Sequence, residues 1–387
     1  MLKTLTRSLL AGVLAAGIGT AATAQVRGVS DTEVVIGSNG DLSGPFASFN
    51  VQAIKAAQMK FDEVNAAGGI HGRMIKFIAE DHGYQVPKAI QNFNKLINRD
   101  QVFAMLLNLG TPMNIAGFKL LEPNKIANVS PLTSARQMVE GDITYKYAGA
   151  SFYFDQMRAV TKFLNSNKGR TKFCTMYLPN DFGKEIKLGT EAGAGEVGGE
   201  YVTETTHKPD EQDFTGSLSK LNDAGCEVVG LALTVRQLIT VVATAKKMGL
   251  NDMDFAGSSA AMNTAVAQIP GGVTEGFYAA AGWADLVARM DVPAVKEWAD
   301  AFREKFGEEP GTAAQLGFGG AETLVRALEA AGKDLTPESF KAGMESLSFR
   351  DEIGDVDIKY GPDDHIGADA IIISQIQNGV WQEVHRE

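Results

Sequence analysis

Val34-Val35-Ile36-Gly37, Asp41-Leu42-Ser43-Gly44-Pro45 and the segment 51–66 that ends in Gly68-Gly69 are the stretch on which the fold turns. The first four residues are a short β-branched run, and the five that follow form a turn. In 51–66, Val51, Ile54, Gln58, Phe61 and Val64 recur at near-helical spacing with one polar mismatch, and the glycine pair stops the helix. Strand, loop and helix in that order make one α/β unit. Downstream the same grammar predicts a strand at 74–79, a helix at 87–98, a strand at 102–107, a helix at 113–121 and a strand at 126–129. Such alternation with short connections implies a parallel sheet with helices on both faces.

The pattern restarts near residue 171. Strands are expected at 171–178, 201–206, 228–233, 254–256 and 276–281, with helices at 183–194, 214–223 and 238–247. Two successive units of similar plan imply two similar lobes, and no Pro-, Ser- or charge-rich linker separates them. Helices follow at 292–306, 313–331 and 337–344. Strands then close the chain at 356–360, 370–377 and 380–384, the last two joined through the hairpin turn Asn378-Gly379.

A length of 387 residues suits two domains. The formal charge of −11 sets most of the surface against phosphate backbones and acidic lipid, so nucleic acid is not an expected partner. Residues 1–24 read as a cleavable secretory signal peptide: Lys3 and Arg7 lead, an apolar uncharged stretch follows at 8–20, and Ala22-Thr23-Ala24 offers the cleavage site. Cleavage takes the charge from −11 to −13, because the leader carries two basic residues and no acid. No cysteine follows the site, so no lipid attachment is expected, nor any membrane insertion of the mature chain. The expected location is the periplasm. Cys174 and Cys226 each lie in an apolar, strand-like run, and two buried thiols or a disulfide both fit that placement.

Catalytic signatures are missing from the sequence. The five histidines are scattered and none falls in HExxH, no GxSxG elbow occurs, and neither a Walker A run nor GxGxxG stands at a strand-to-helix turn. No enzyme activity, metal or cofactor is therefore expected. The loops after the strands carry small hydroxyl residues and rings instead: Phe46 and Phe49 after the first strand, Gly110-Thr111-Pro112 after the third and Ser130-Pro131-Leu132-Thr133-Ser134 after the fourth. The second unit adds Asn180-Asp181-Phe182-Gly183, Thr234-Val235-Arg236 and Gly257-Ser258-Ser259. Taken singly these are helix N-caps. Together at the carboxyl ends of parallel strands they describe a neutral pocket able to hold a carboxylate and to sandwich an apolar body.

Ile36-Gly37 with Leu42-Ser43-Gly44-Pro45, the run Val64-Asn65-Ala66-Ala67-Gly68-Gly69-Ile70-His71-Gly72, Asp81, Ser130-Pro131, Asp181-Phe182-Gly183-Lys184, Asp213-Phe214 and Gly317 carry a resemblance that spans the mature chain. The sequence resembles the periplasmic binding proteins of ABC importers for branched-chain amino acids. That resemblance implies the type I fold, two Rossmann-like lobes joined by a three-crossover hinge. The lobes would be residues 29–149 with 283–354 and residues 150–282 with 355–387. It implies a monomer that closes on a small-molecule ligand and hands it to an ABC permease in the inner membrane. It places the family's carboxylate site on Thr111, Leu132 and Ser134, the stacking position on Phe49, the second-lobe tyrosine positions on Phe182 and Thr234, and the acid that grips an α-ammonium on Ser259. A serine supplies no charge, and an ammonium buried without a carboxylate is costly. The expected ligand is therefore an aromatic or short organic carboxylate without an α-ammonium, with Arg236 as a second anion contact or as a solvated helix residue, and the family's amino acids as the alternative.

Overall fold

The computed structural model describes residues 26–387, so the signal-peptide reading of residues 1–24 lies outside the described residues. The first sheet is built from β1 (Glu33–Gly40), β2 (Met74–Asp81), β3 (Ala104–Leu106), β4 (Ala127–Val129) and β5 (Lys146–Tyr147). Their spatial order is β2-β1-β3-β4-β5, every pair parallel. Helices α1 (Ala47–Ala66), α2 (Val86–Asn98) and α3 (Thr111–Leu121) supply the crossovers.

After α4 (Tyr153–Lys168) the plan repeats with β6 (Lys172–Tyr177), α5 (Asp181–Glu196), β7 (Glu200–Thr206), α6 (Thr215–Asp223), β8 (Val228–Ala232), α7 (Val235–Lys247), β9 (Asp254–Gly257), the short α8 (Thr264–Ala267) and β10 (Tyr278–Ala281). Their order, β7-β6-β8-β9-β10, is the first sheet's order over again. In both, the chain reverses direction across the sheet beside its first strand, and open α/β sheets bind ligands at that point. The two-lobed α/β architecture expected from the alternation is the observed one.

The chain then returns to the first lobe. Helices α9 (Pro293–Phe306), α10 (Thr312–Ala331) and α11 (Pro337–Glu345) follow, and α10 lies along α1. The approach is so close that a Cβ on Gly317 would sit 2.1 Å from the Ala53 carbonyl oxygen, which only glycine permits at that crossing. β11 (Ser348–Asp351) and β12 (Val356–Lys359) form a separate antiparallel hairpin, and β13 (Ile372–Gln377) and β14 (Val380–Arg386) add antiparallel to β10. The hairpin spans the division placed at 354/355. The chain beyond it stays on β5, where Ala148 N donates to the His365 carbonyl at 2.9 Å, and joins the second sheet only at Ile372.

Several bounds differ from the sequence reading. β5 is too short and β11 too charged for either to show strand periodicity, and both were missed by it. The segment expected as a strand at 356–360 pairs with β11 instead of entering a main sheet. Helices α1, α3 and α5 begin earlier than expected, at Ala47, Thr111 and Asp181, so Phe49, Thr111 and Phe182 stand in first helical turns. Among the described residues no helix is long and apolar enough to cross a membrane.

Cys174 on β6 and Cys226, two residues before the parallel neighbour β8, are joined by a disulfide, with their Cα atoms 5.9 Å apart. The strand register brings them together across 52 residues of chain, which decides between the two readings that the sequence left open. Closing a loop of that length constrains the unfolded chain. Replacing both cysteines by serine should lower the unfolding free energy by about 2 to 4 kcal/mol. Urea denaturation that gives the same midpoint for the double variant and the oxidised protein would contradict this.

Candidate functional site

The loop after β1 is shaped by two carboxylates. Asp41, fully buried, accepts hydrogen bonds from Gly44 N (2.6 Å) and Phe46 N (2.8 Å), which turns the chain into α1 with Phe46 and Phe49 against the cleft. Asp81, at the end of β2, accepts from Leu42 N, Gly83 N and Ser43 Oγ. Burial opposes its charge, yet these bonds hold its carboxyl well below the usual carboxylate range. Next to this anchor, Tyr84 packs on Phe46 with ring centroids 4.6 Å apart.

The strand ends of both lobes enclose a cavity of about 120 Å³, comparable with the roughly 150 Å³ that admits one benzene ring. Phe49, Thr111, Leu132, Ser134, Phe182 and Ser259, all expected from the sequence, lie around it. On one side stand hydroxyls. Thr111 Oγ1 and Thr133 Oγ1 are 2.6 Å apart, and Tyr153 also lines the cavity. Thr111 opens α3, whose first turn leaves backbone N–H groups without intrahelical partners and puts the positive end of the helix dipole there. Ser134 Oγ and Ser259 Oγ face each other across the lobes at 3.4 Å. Rings form the opposite walls: Phe182 meets Phe46 at 6.0 Å and Tyr153 at 5.4 Å, edge to face. Burial pushes the Tyr84 and Tyr153 hydroxyls upward, so both stay protonated and serve as neutral donors.

Thr234 and Arg236 do not line the cavity. The Thr234 hydroxyl accepts from Gln237 N (3.4 Å) and Gln237 Oε1 accepts from Thr234 N (3.1 Å), a capping box that occupies the side chain at the start of α7. Arg236, in the first turn of that helix, is exposed. Asp181, another acid near a strand end, faces Lys184 at 3.8 Å and is outside the cavity wall as well. The sequence reading missed Tyr84, Tyr153, Trp283 and Asp351 as wall residues. Tyr84 follows the turn after β2 and Trp283 the end of β10, positions that strand-end reasoning covers; nothing local marks Tyr153 or Asp351.

Away from the cavity, the lobes are held together by charge. Arg136, in a short 3-10 turn after β4, grips Glu185 of α5 with two guanidinium bonds, Nη2 to Oε1 at 2.8 Å and Nε to Oε2 at 2.9 Å. Its backbone N–H donates to the same carboxylate, and its guanidinium lies 4.1 Å from the centre of the Phe154 ring. The Glu185 side chain is 3 % exposed, so this carboxylate depends on its partner.

Two doubly wound lobes that meet strand end to strand end over a small cavity, with an ion pair on a buried carboxylate beside it, have the plan of a two-lobed solute-binding protein. The chain belongs to the periplasmic binding protein family, whose model matches residues 33–380. The family is one of solute receptors, not of enzymes. Among its relatives is the Leu/Ile/Val-binding protein homolog 1 of Brucella abortus (strain 2308), 26% identical over 349 residues that cover 89% of this chain and 91% of the relative. A fatty acid ABC transporter substrate-binding protein from Thermomonospora curvata superposes with a TM-score of 0.84 at 26% identity, covering 93% of this chain and 94% of the other. An ABC transporter solute-binding protein from R. palustris in complex with benzoate superposes with a TM-score of 0.80 at 16% identity, over 92% and 96% of the two chains.

Arg136→Ala should leave the Glu185 carboxylate buried and unpaired whenever the lobes are shut, a cost of roughly 1.5 to 3 kcal/mol that falls on the closed form. Small-angle scattering of the variant should show a larger radius of gyration than the parent protein. Identical scattering curves would mean that the pair does not control closure.

Proposed function

We propose that this protein is the solute receptor of an ABC importer and captures a small carboxylate that lacks an α-ammonium, an aromatic or short organic acid, by closing its two lobes over it. The observation that carries the reading is the position of Ser259, whose hydroxyl stands 3.4 Å from that of Ser134. In an α-amino acid the ammonium is one carbon from the carboxylate. If Thr111 and Ser134 take the carboxylate, the ammonium acceptor has to stand where Ser259 is, and a hydroxyl there brings no charge to pay for burying an ammonium. Leu132 contributes main-chain groups to the carboxylate end, while Phe49 and Phe182 flank the apolar body. Relatives whose names give fatty acid or benzoate as the solute accord with this reading; those named for leucine, isoleucine and valine accord with the alternative, a branched-chain amino acid.

The Cys174–Cys226 disulfide favours an oxidising compartment, and with the leader at 1–24 supports export to the periplasm and cleavage after Ala24. The partner in that reading is an inner-membrane permease.

Isothermal titration with benzoate, 4-hydroxybenzoate and leucine tests the ligand class. Binding of an acid with leucine inert is the expected result; micromolar leucine binding with both acids inert would overturn it. Ser259→Glu should weaken the acid by like-charge repulsion and improve leucine. Thr111→Val, which deletes one hydroxyl bond to a charged ligand, should cost about 1.5 to 3 kcal/mol, at least tenfold in Kd.

A further inference from the structure

Ser134 and Ser259 face each other across the lobes, and a second route through the protein joins them. Gln156 stands in the first turn of α4 with no exposed surface, and it is not among the residues around the cavity. Its Oε1 accepts from Ser259 N at 2.8 Å, 103 positions along the chain, and its Nε2 donates to the Ser151 carbonyl at 2.7 Å. Ser259 N–H can only donate and a carbonyl can only accept, so one orientation of the amide satisfies both partners. Ser151 lies on the chain that leaves the first sheet at β5 and enters α4, and its own hydroxyl donates to the Ala370 carbonyl at 3.0 Å. At the head of the same helix Tyr153 N donates to the Ser134 carbonyl at 2.7 Å. The circuit runs from Ser134 through the first turn of α4 and Gln156 to Ser259, and closes where the two serine hydroxyls meet at 3.4 Å.

We propose that Gln156 is a positioning residue for solute recognition, which holds the Ser259 hydroxyl at the distance from Ser134 that the ligand requires. The proposal rests on the reading above, in which Ser134 and Ser259 meet the ligand. The turn after β9 does not hold Ser259 N by itself: its bonds run from Ala261 N to the Ser258 carbonyl and from Met262 N to the Ser259 carbonyl. With its N–H given to Gln156 and its carbonyl to Met262, Ser259 turns its hydroxyl alone toward the cavity. Removing the amide leaves a buried N–H and a buried carbonyl without partners, and the turn then shifts to satisfy them. A neutral amide does this work without adding charge beside an anionic ligand.

Calorimetry with benzoate on the full mature chain, in a double-mutant cycle of Gln156→Met and Ser259→Ala, tests this. Methionine fills similar space and favours the helix but makes neither bond. Each single variant should weaken benzoate about tenfold. The double variant should fall no more than about threefold below the weaker single one, because a hydroxyl that is gone cannot be misplaced. Losses that multiply to about a hundredfold, or an unchanged affinity in Gln156→Met, overturn the proposal. Thermal midpoints identify loss of fold. Should Gln156→Met unfold, Gln156→Asn, whose amide is one methylene too short to reach Ser259, takes its place in the cycle. Hydrogen exchange reads the bond in the parent protein: the Ser259 amide should exchange as slowly as those of β9, and rapid exchange there overturns the proposal without any variant. A parent protein that binds leucine and not benzoate fails the carboxylate reading alone, and leucine then serves as the probe in the same cycle. One that binds neither of these nor 4-hydroxybenzoate overturns both.

Discussion

Parallel pairing of β1 with β3 and of β6 with β8 is the constraint on which everything else rests. Parallel strands need crossovers, and the crossovers carry all strand carboxyl ends of a lobe to one edge. Because both lobes wind in the same order, each presents its ends and helix starts to the other. The cavity is what remains between two such edges when they close. The same register also places Cys174 beside Cys226, so the disulfide and the site share one cause.

The cavity has to hold its ligand without a positive side chain. Backbone N–H groups at the start of α3 and the hydroxyls of Thr111, Thr133 and Ser134 offer oriented dipoles, which are neutral when the site is empty and so cost little to bury. The Arg136–Glu185 pair, which joins the turn after β4 to α5, stands outside the cavity. The ion pair across the lobes and the cavity wall are thus built from separate residues.

Helix α10 has two duties that follow from its glycines. At Gly317 it meets α1 with no room for a Cβ, which ties the late part of the chain into the first lobe. Two residues on, on another side of the helix, Gly319 lies in the cavity wall, where a Cβ would stand 3.2 Å from Asp351 Oδ2.

The alternation of strand and helix, its restart near residue 171 and the loops bearing Phe49, Thr111, Leu132, Ser134, Phe182 and Ser259 were legible because they depend on local periodicity and on a rule that ties ligand sites to strand ends. Thr234 and Arg236 obey the same rule and still lie off the wall, since a capping box satisfies the first and solvent takes the second; a hydroxyl after a strand looks the same in sequence whether it caps its helix or faces a cavity. Tertiary structure alone decided the disulfide and the Arg136–Glu185 pair. Each joins residues 49 or more positions apart, and their meeting is set by sheet register and helix packing, which no local pattern encodes.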